Sequence, residues 1–280
     1  MKYWPNISGH KVSFFAYAPY GDDNIEVQEG NFSKIGFTVN EDVLKQVDFI
    51  YNDQSEANKT TDLTKQDVTS KVNFLFKHAL ARIGFSVQVV VDETDANSTM
   101  KLDGNTHINV KKVELLDKDS ETAVAFYTNG TFDMVAGNWG TTPTGTQGFT
   151  FEGANFDRTV TVGDTEVVQL HKFNQKQTLL NEKSYLMIIP QDLSGEDSGF
   201  KIRITYDVIT EGEDGDNSTV TNTITSKEAL KVNFEQGKAY NFNLILGMTS
   251  VKFDASVAEW VDADAQNPVW LPVNTPVDGE

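Results

Sequence analysis

Short runs of alternating apolar and polar residues recur along the whole chain. In FKIRITYDVI, residues 200–209, isoleucine, tyrosine and valine alternate with polar neighbours. This period of two is typical of a strand that has one face against a core and the other in water. Similar runs, separated by turn residues, extend from FSKIGFTV near the start to TSVKFDASVAEW near the end. The pattern predicts an all-β protein.

The opening segment, KYWPNISGHKVSFFAYAPY, also predicts a strand. Phe14 lies on one face of an extended chain, and Phe15 and Tyr17 lie on the other. Apolar residues on both faces are typical of a strand that is covered on both sides. The segment has neither the charged start nor the apolar stretch of a secretory signal. We therefore expect either that the natural start lies upstream or that another element covers this strand.

Local signals refine this pattern. In AVAFYTNGTFDMV, the pair Asn129-Gly130 predicts a two-residue hairpin turn, because both residues tolerate a positive φ. NEDVLKQVDFIYND contains the one plausible short helix, although this segment could also be extended. The polar, turn-rich stretch 92–106 predicts a domain boundary. We expect one domain at 1–98 and a second at 99–280, with an extended tail at 261–280, and many short strands separated by turns indicate a β-sandwich or a β-barrel.

Composition excludes several classes of function. The net charge is −18, so the cations that neutralise nucleic-acid phosphates or anionic membranes are in short supply. There is no cysteine, which excludes disulfides and thiolate metal sites. No apolar run approaches the roughly 20 residues of a membrane-spanning helix. The sequence predicts no nucleic-acid partner and no transmembrane segment.

Motifs for catalysis and metal binding are missing. The chain has no nucleophile elbow, zincin helix, phosphate loop or dinucleotide fingerprint. The four histidines show no metal-ligand spacing, and His78 is expected to be a hydrogen-bonded histidine rather than a ligand or base. The acidic stretch 211–216 lacks the residue order of a calcium loop. We expect a protein that is not an enzyme, with no catalytic residue, no metal and no cofactor.

The tryptophans leave an alternative function open. Trp4, Trp139, Trp260 and Trp270 could stack on sugar rings, as in a surface glycan-binding β-sandwich module. Three of them adjoin strand-like segments, where a core or rim position is the commoner role. A lectin-like site would instead gather tryptophan or tyrosine with aspartate and asparagine on one loop face.

Three segments of the chain carry motifs that occur together. YWPNISGHKVSFFAYAPY resembles the opening YWP and FFAY segment of the fimbrillin family of the Bacteroidales. FKHALARIGFSVQV resembles that family's strand with histidine-alanine, arginine, isoleucine or methionine, and phenylalanine in the pattern H-A-x-(A)-R-(I/M)-x-F. KAYNFNLILGMTSVKFDASVAEWVDADAQNPVW resembles its C-terminal ending, a Y-x-(F/I)-x-L strand followed by a V-A-E-W strand and a short tail. The segments lie in the family's order, and with the ground between them they span nearly the whole chain.

The resemblance implies two transthyretin-like antiparallel β-sandwich domains, the first incomplete at its N-terminus. It implies a structural subunit of a bacterial surface pilus, stalk or tip, located at the cell surface or outer membrane. Its partners would be other pilin subunits, in a homo- or heteropolymer, together with host or bacterial surface ligands. Assembly would proceed by β-strand addition, in which an extended segment of one subunit fills a groove of its neighbour.

The resemblance also suggests which residues assemble. In the tail, Val269, Leu271 and Val273 alternate with other residues, and three prolines exclude a helix or a central strand. We expect 261–280 to be either a donor segment for a neighbouring subunit or a strand on its own C-terminal domain. The resemblance favours the donor role for a stalk subunit, with these three side chains as the donor residues.

The opening strand would supply the opposite partner. An incomplete first domain would leave an unpaired sheet edge, with Phe14, Phe15 and Tyr17 partly uncovered beside it. We expect these three residues to belong to the open groove.

Overall fold

The protein is built from β-strands throughout the residues that the computed structural model describes, which are 9–64, 72–90, 106–140, 143–171, 176–212, 215–247 and 251–260. In chain order the strands are β1 (Tyr17–Ala18), β2 (Ile25–Val27), β3 (Lys34–Thr38), β4 (Ile50–Asn52), β5 (Phe76–His78), β6 (Ala81–Val89), β7 (Thr106–Asp117), β8 (Phe126–Asp133), β9 (Asn138–Trp139), β10 (Thr144–Gln147), β11 (Thr150–Glu152), β12 (Thr159–Val162), β13 (Thr165–Leu170), β14 (Gln177–Thr178), β15 (Leu186–Ile188), β16 (Gln191–Asp192), β17 (Phe200–Glu211), β18 (Asn217–Thr225), β19 (Asn233–Phe234), β20 (Lys238–Leu246) and β21 (Val251–Glu259).

These strands form four main sheets and one short ribbon. Sheet I has the order β1-β4-β5, and sheet II has the order β10-β8-β3-β2, with β9 also on β8. Sheet III has the order β12-β13-β7-β17-β18, with β11 also on β7. Sheet IV has the order β14-β6-β20-β21, with β15 also on β6, and β16 pairs with β19. The predicted all-β class is confirmed.

Strand β17 shows how the sequence pattern sets these sheets. From Phe200 to Val208 its side chains alternate between buried and half-buried positions, as the period of two predicts. Its two edges are both paired, with β7 on one side and β18 on the other, and both pairs are antiparallel. The strand therefore lies inside sheet III with one apolar face on the core.

Sheet IV departs from the antiparallel prediction at its centre. There β6 pairs with β20 in parallel, from Ala239 opposite Arg82 to Leu246 opposite Val89. Most side chains of both strands are buried, because parallel strands are usually covered on both faces. Periodicity alone could not show this pairing, because the two strands are far apart in the chain.

The predicted turn at Asn129-Gly130 is wrong. Both residues lie inside β8, where Phe37 of β3 faces Gly130. A Cβ atom on Gly130 would lie 2.7 Å from Cε3 of Trp139, so the glycine makes room for this indole ring. The glycine is explained by close packing rather than by a positive φ.

Two further sequence predictions concern a short helix and a domain boundary. The predicted short helix is a single 3₁₀ turn at Val43–Lys45, where Asp42 accepts the N–H of Leu44. The predicted boundary, 92–106, lies almost wholly outside the described residues. Strand pairing crosses it, since β8 joins β3 and β20 joins β6. The division into 1–98 and 99–280, and the transthyretin-like form of the two domains, stay predictions.

One hydrophobic core extends through all four main sheets. It includes Tyr51 of sheet I, Phe132 of sheet II, Tyr206 of sheet III and Phe85 of sheet IV. Because the sheets share these contacts, the strands of sheet I are fixed against the rest of the molecule on their inner side.

Candidate assembly edge

Sheet I is held together by a buried asparagine in its central strand. Asn52 is fully buried, and its Oδ1 accepts the N–H of Ala16 at 2.8 Å. Its Nδ2 donates to Oγ1 of Thr60 at 2.8 Å, and this hydroxyl donates to the carbonyl of Phe14 at 2.7 Å. The asparagine therefore joins the opening segment to residues 60–63, which follow β4 in the chain and pair with the opening segment beyond the end of β4.

The opening segment has one paired side. Val12 and Phe14 donate their N–H groups to the carbonyls of Leu63 and Thr60. Because backbone groups alternate in direction along a strand, those of Phe15 and Tyr17 point to the opposite side. No strand pairs with that side within the described ranges.

The three groove residues predicted from the sequence flank this side of sheet I. Phe14, Phe15 and Tyr17 are all half-buried. Phe15 and Tyr17 pack against the core, and their backbone groups are the ones that point to the unpaired side. Their role as groove residues stays a prediction.

The other outer strand, β5, and the two residues before it expose more apolar surface. Phe74, Leu75 and Phe76 are 39%, 50% and 42% exposed. The N–H of Asp53 binds the carbonyl of Leu75, whereas the N–H of Asn52, opposite Phe76, binds the opening segment. The backbone groups of Phe76 therefore point away from β4, to a side with no strand partner in the described part of the chain. We call this side, with Phe74, Leu75 and Phe76, the β5 edge.

Behind the β5 edge, two of the sequence motifs meet. The ring of His78, the last residue of β5, stacks on Trp260 with 3.9 Å between centroids and 6° between planes. Nδ1 of His78 lies 2.8 Å from Oδ2 of Asp48. The guanidinium carbon of Arg82 lies 5.1 Å from the Trp260 ring and 4.6 Å from the Tyr185 ring. The H-A-L-A-R motif, residues 78–82, therefore contacts Trp260 at the end of the V-A-E-W motif through a ring stack and a cation–ring contact.

Backbone contacts fix the same place. Nε1 of Trp139 donates to the carbonyl of Ala79 at 2.8 Å, and the N–H of Gly237 donates to that of Leu80 at 2.9 Å. The N–H of Trp260 binds the carbonyl of Gly237 at 2.8 Å. The point from which residues 261–280 continue is therefore anchored next to the β5 edge.

Asp53 holds the turn beside this edge through an ionised carboxylate. Burial works to raise its pKa, but hydrogen bonds from Ser55 and Asn58 and the ammonium group of Lys77 lower the pKa to about 2. Its side chain is 9% exposed and so is largely shielded from water, whereas the Lys77 side chain is 51% exposed. The charged form is favoured in the folded state.

We expect this carboxylate to make stability depend on pH. Its pKa is lower in the folded chain than the usual 3.8, so its contribution is present above pH 4 and lost as the pH falls through 2. The shift corresponds to about 2 kcal/mol. Asp53→Asn should cost about that much at pH 7 and almost nothing near pH 2, by urea denaturation. The exposed Asp164→Asn is the control, and an equal loss at both pH values would contradict the prediction.

The remaining candidate residues from the sequence are those of the tail and the four tryptophans. Val269, Leu271 and Val273, like Trp4 and Trp270, lie outside the described residues. Trp139 packs among Phe37, Phe49 and Phe132, and Trp260 is buried on His78. Trp260 presents no free face for a sugar ring, because His78 and Arg82 lie against it, and Trp139 is half-buried. No helix in the described ranges is long and apolar enough to cross a membrane.

Comparison with known proteins agrees with this fold. A family model described as fimbrillin-like matches residues 1–260. The chain belongs to the fimbrillin-like family. It is 26% identical to "Fimbrium subunit Fim1C" of Phocaeicola vulgatus over 94% of this chain and 71% of that protein. The crystal structure of a fimbrial protein from Bacteroides vulgatus superposes with a TM-score of 0.69 at 22% identity, over 93% of this chain and 80% of that one.

Membership of the fimbrillin-like family confirms the resemblance read from the three motifs. The family is one of fimbrial structural proteins and not of enzymes, as the sequence predicts. It implies a surface-exposed component of a pilus that associates with other pilin subunits.

Sequence reasoning did not find the β5 edge. It treated FKHALARIGF as one strand, whereas Ala79 and Leu80 separate β5 in sheet I from β6 in sheet IV. The run of three apolar residues at 74–76, without a polar alternation, was the signal that could have shown it. A strand with apolar residues on both faces needs a second covering layer.

Proposed function

We propose that this fimbrillin-like protein is a stalk subunit of a pilus at the outer membrane and that it polymerises by β-strand addition. The tail segment with Val269, Leu271 and Val273 would be the donor. The β5 edge of the next subunit would be the acceptor. The assembled pilus would support adhesion to host or bacterial surfaces.

The β5 edge is the observation that carries this proposal. An unpaired sheet edge with three consecutive apolar side chains is a template for another strand. Natural proteins usually protect such an edge with charges, prolines or a covering element. Within the described residues no proline and no pairing strand lies on the β5 edge, and its one charged residue, Lys77, is paired with Asp53 at 3.1 Å. A partner strand is therefore the expected cover of its apolar side chains.

The position of Trp260 supports a donor that reaches another copy. The tail starts behind the acceptor edge of its own subunit, at a residue fixed by the His78 stack. Twenty residues can extend to about 65 Å, which is enough to reach a neighbouring subunit. Each aliphatic side chain buried on arrival would contribute roughly 1.5–3 kcal/mol before ordering costs.

Binding of an isolated tail tests the proposal. A fluorescent peptide of residues 261–280 should bind the purified full-length protein, as measured by anisotropy. The matched peptide with Val269→Asp, Leu271→Asp and Val273→Asp should bind at least about tenfold more weakly, because at least 1.4 kcal/mol of burial is lost. Equal binding of both peptides, or no binding of the first, would rule out this donor segment.

A further inference from the structure

Two of the four histidines meet at one end of sheet III. Leu170 of β13 faces Ile108 of β7, so the next residue along β13, His171, is directly opposite His107. Their ring centroids are 5.3 Å apart with 41° between the planes. Two imidazoles on one tetrahedral zinc ion, at Zn–N distances of about 2.0–2.1 Å, have centroids about 5 Å apart. The two rings therefore have the separation of a shared metal ion.

The neighbouring polar atoms suit the same role. Nε2 of His171 lies 2.8 Å from Oε1 of Gln169. In the tautomer with the hydrogen on Nε2, this nitrogen donates to the amide oxygen and Nδ1 keeps its lone pair for a metal ion. Metal-binding histidines usually donate their other N–H to such an oxygen. Nδ1 of His107 lies 3.8 Å from Oε1 of Glu211, the last residue of β17. Two nitrogens and a carboxylate thus come from three neighbouring strands.

A buried oxygen without a partner lies on the same face. Asn109 is two residues from His107 on β7, so its side chain is on the same side of the sheet. It is 1% exposed, and its Oδ1 makes no hydrogen bond. An unpaired buried acceptor costs about 1–3 kcal/mol. Coordination to a cation, or a hydrogen bond from a water bound to one, would satisfy this atom.

We propose that His107, His171 and Glu211 form a binding site for a divalent transition-metal ion of the zinc class. Imidazole nitrogen with one carboxylate suits Zn²⁺ better than Ca²⁺ or Mg²⁺, which prefer oxygen ligands. The charge of −18 favours accumulation of cations around the protein. The site would join the start of β7 and the end of β17 to His171, the residue that follows β13.

Formation of the site requires one side chain to move. No three histidine, aspartate or glutamate side chains in the described ranges already surround a common point that could hold a metal ion. The two rings are close, and the Glu211 side chain is 56% exposed and can rotate toward them. His171 is exposed, so an ion can reach the pair from solvent.

Calorimetric titration of the full-length, chelator-treated protein with ZnCl₂ tests the proposal. We expect one site, with binding weakened about tenfold or more by His171→Gln and by Glu211→Gln. His10→Gln, which removes an exposed histidine elsewhere, should bind as the parent does. Ca²⁺ in excess should not compete, because imidazole is a poor ligand for it.

Loss of the metal site can be distinguished from loss of folding. His171 and Glu211 are exposed, so their variants should keep the parent circular-dichroism spectrum. His107 is buried, so the test rests on the two exposed variants and not on His107→Gln. Absence of Zn²⁺ binding by the parent protein would overturn the proposal. Binding that neither His171→Gln nor Glu211→Gln weakens would also overturn it, because the ion would then be held elsewhere.

Discussion

Replacing Trp260 with alanine is expected to lower the free energy of unfolding by about 3–5 kcal/mol. The indole is buried, stacks on His78 and receives the guanidinium group of Arg82. Its removal leaves a cavity between sheets I and IV and takes away both ring contacts. The change should appear in urea denaturation as a lower midpoint with an unchanged slope.

Two further variants are controls for the stability loss expected of Trp260→Ala. Trp260→Phe keeps a ring on His78 and should lose less stability than Trp260→Ala. Val257→Ala changes an exposed side chain on the same strand, and should cost under about 1 kcal/mol. If Trp260→Ala is no more destabilising than Val257→Ala, the motif contact does not hold the base of the tail.

Lysine at both phenylalanines of the β5 edge is expected to abolish polymerisation. In Phe74→Lys/Phe76→Lys, two charges would have to be buried beneath an incoming strand, at a cost of several kcal/mol each. Both side chains are partly exposed in the monomer, so its stability should change little. Size-exclusion chromatography with light scattering would compare the polymers formed by the parent and the variant.

A second sheet edge provides the matched control. Val160 and Val162 are similarly exposed on β12, which is an outer strand of sheet III. Val160→Lys/Val162→Lys should therefore polymerise as the parent does. If the β5 variant polymerises normally while a change at Phe15 or Tyr17 stops assembly, the acceptor is the opening segment that the sequence predicts.

The sequence predicted the strands whose side-chain pattern is local. The alternation in FKIRITYDVI corresponds to β17, and KAYNFNLIL corresponds to β20 with the same bounds. In such strands each residue's environment depends on which face it occupies, and the period of two reports this directly. Family membership could be recognised for a similar reason, since each motif is a short contiguous segment.

Features that depend on distant parts of the chain could not be read in this way. Asn129-Gly130 resembles a turn locally, but the ring of Trp139 requires a glycine inside a strand. His107 and His171 lack metal-ligand spacing in the sequence, and only the pairing of β13 with β7 brings them together. The β5 edge is visible only once β4 is known to be its sole strand partner in the described residues.

The parallel pair at the centre of sheet IV has a consequence for how the chain reaches its native state. Ser86 and Asn243, which share a hydrogen bond across β6 and β20, are 157 positions apart. Contacts between such distant residues slow folding, because a long loop must close before they form. During synthesis, β6 is therefore made long before β20, and its apolar side chains stay uncovered until β20 pairs with it. Sheet IV can be completed only when nearly the whole chain has been made.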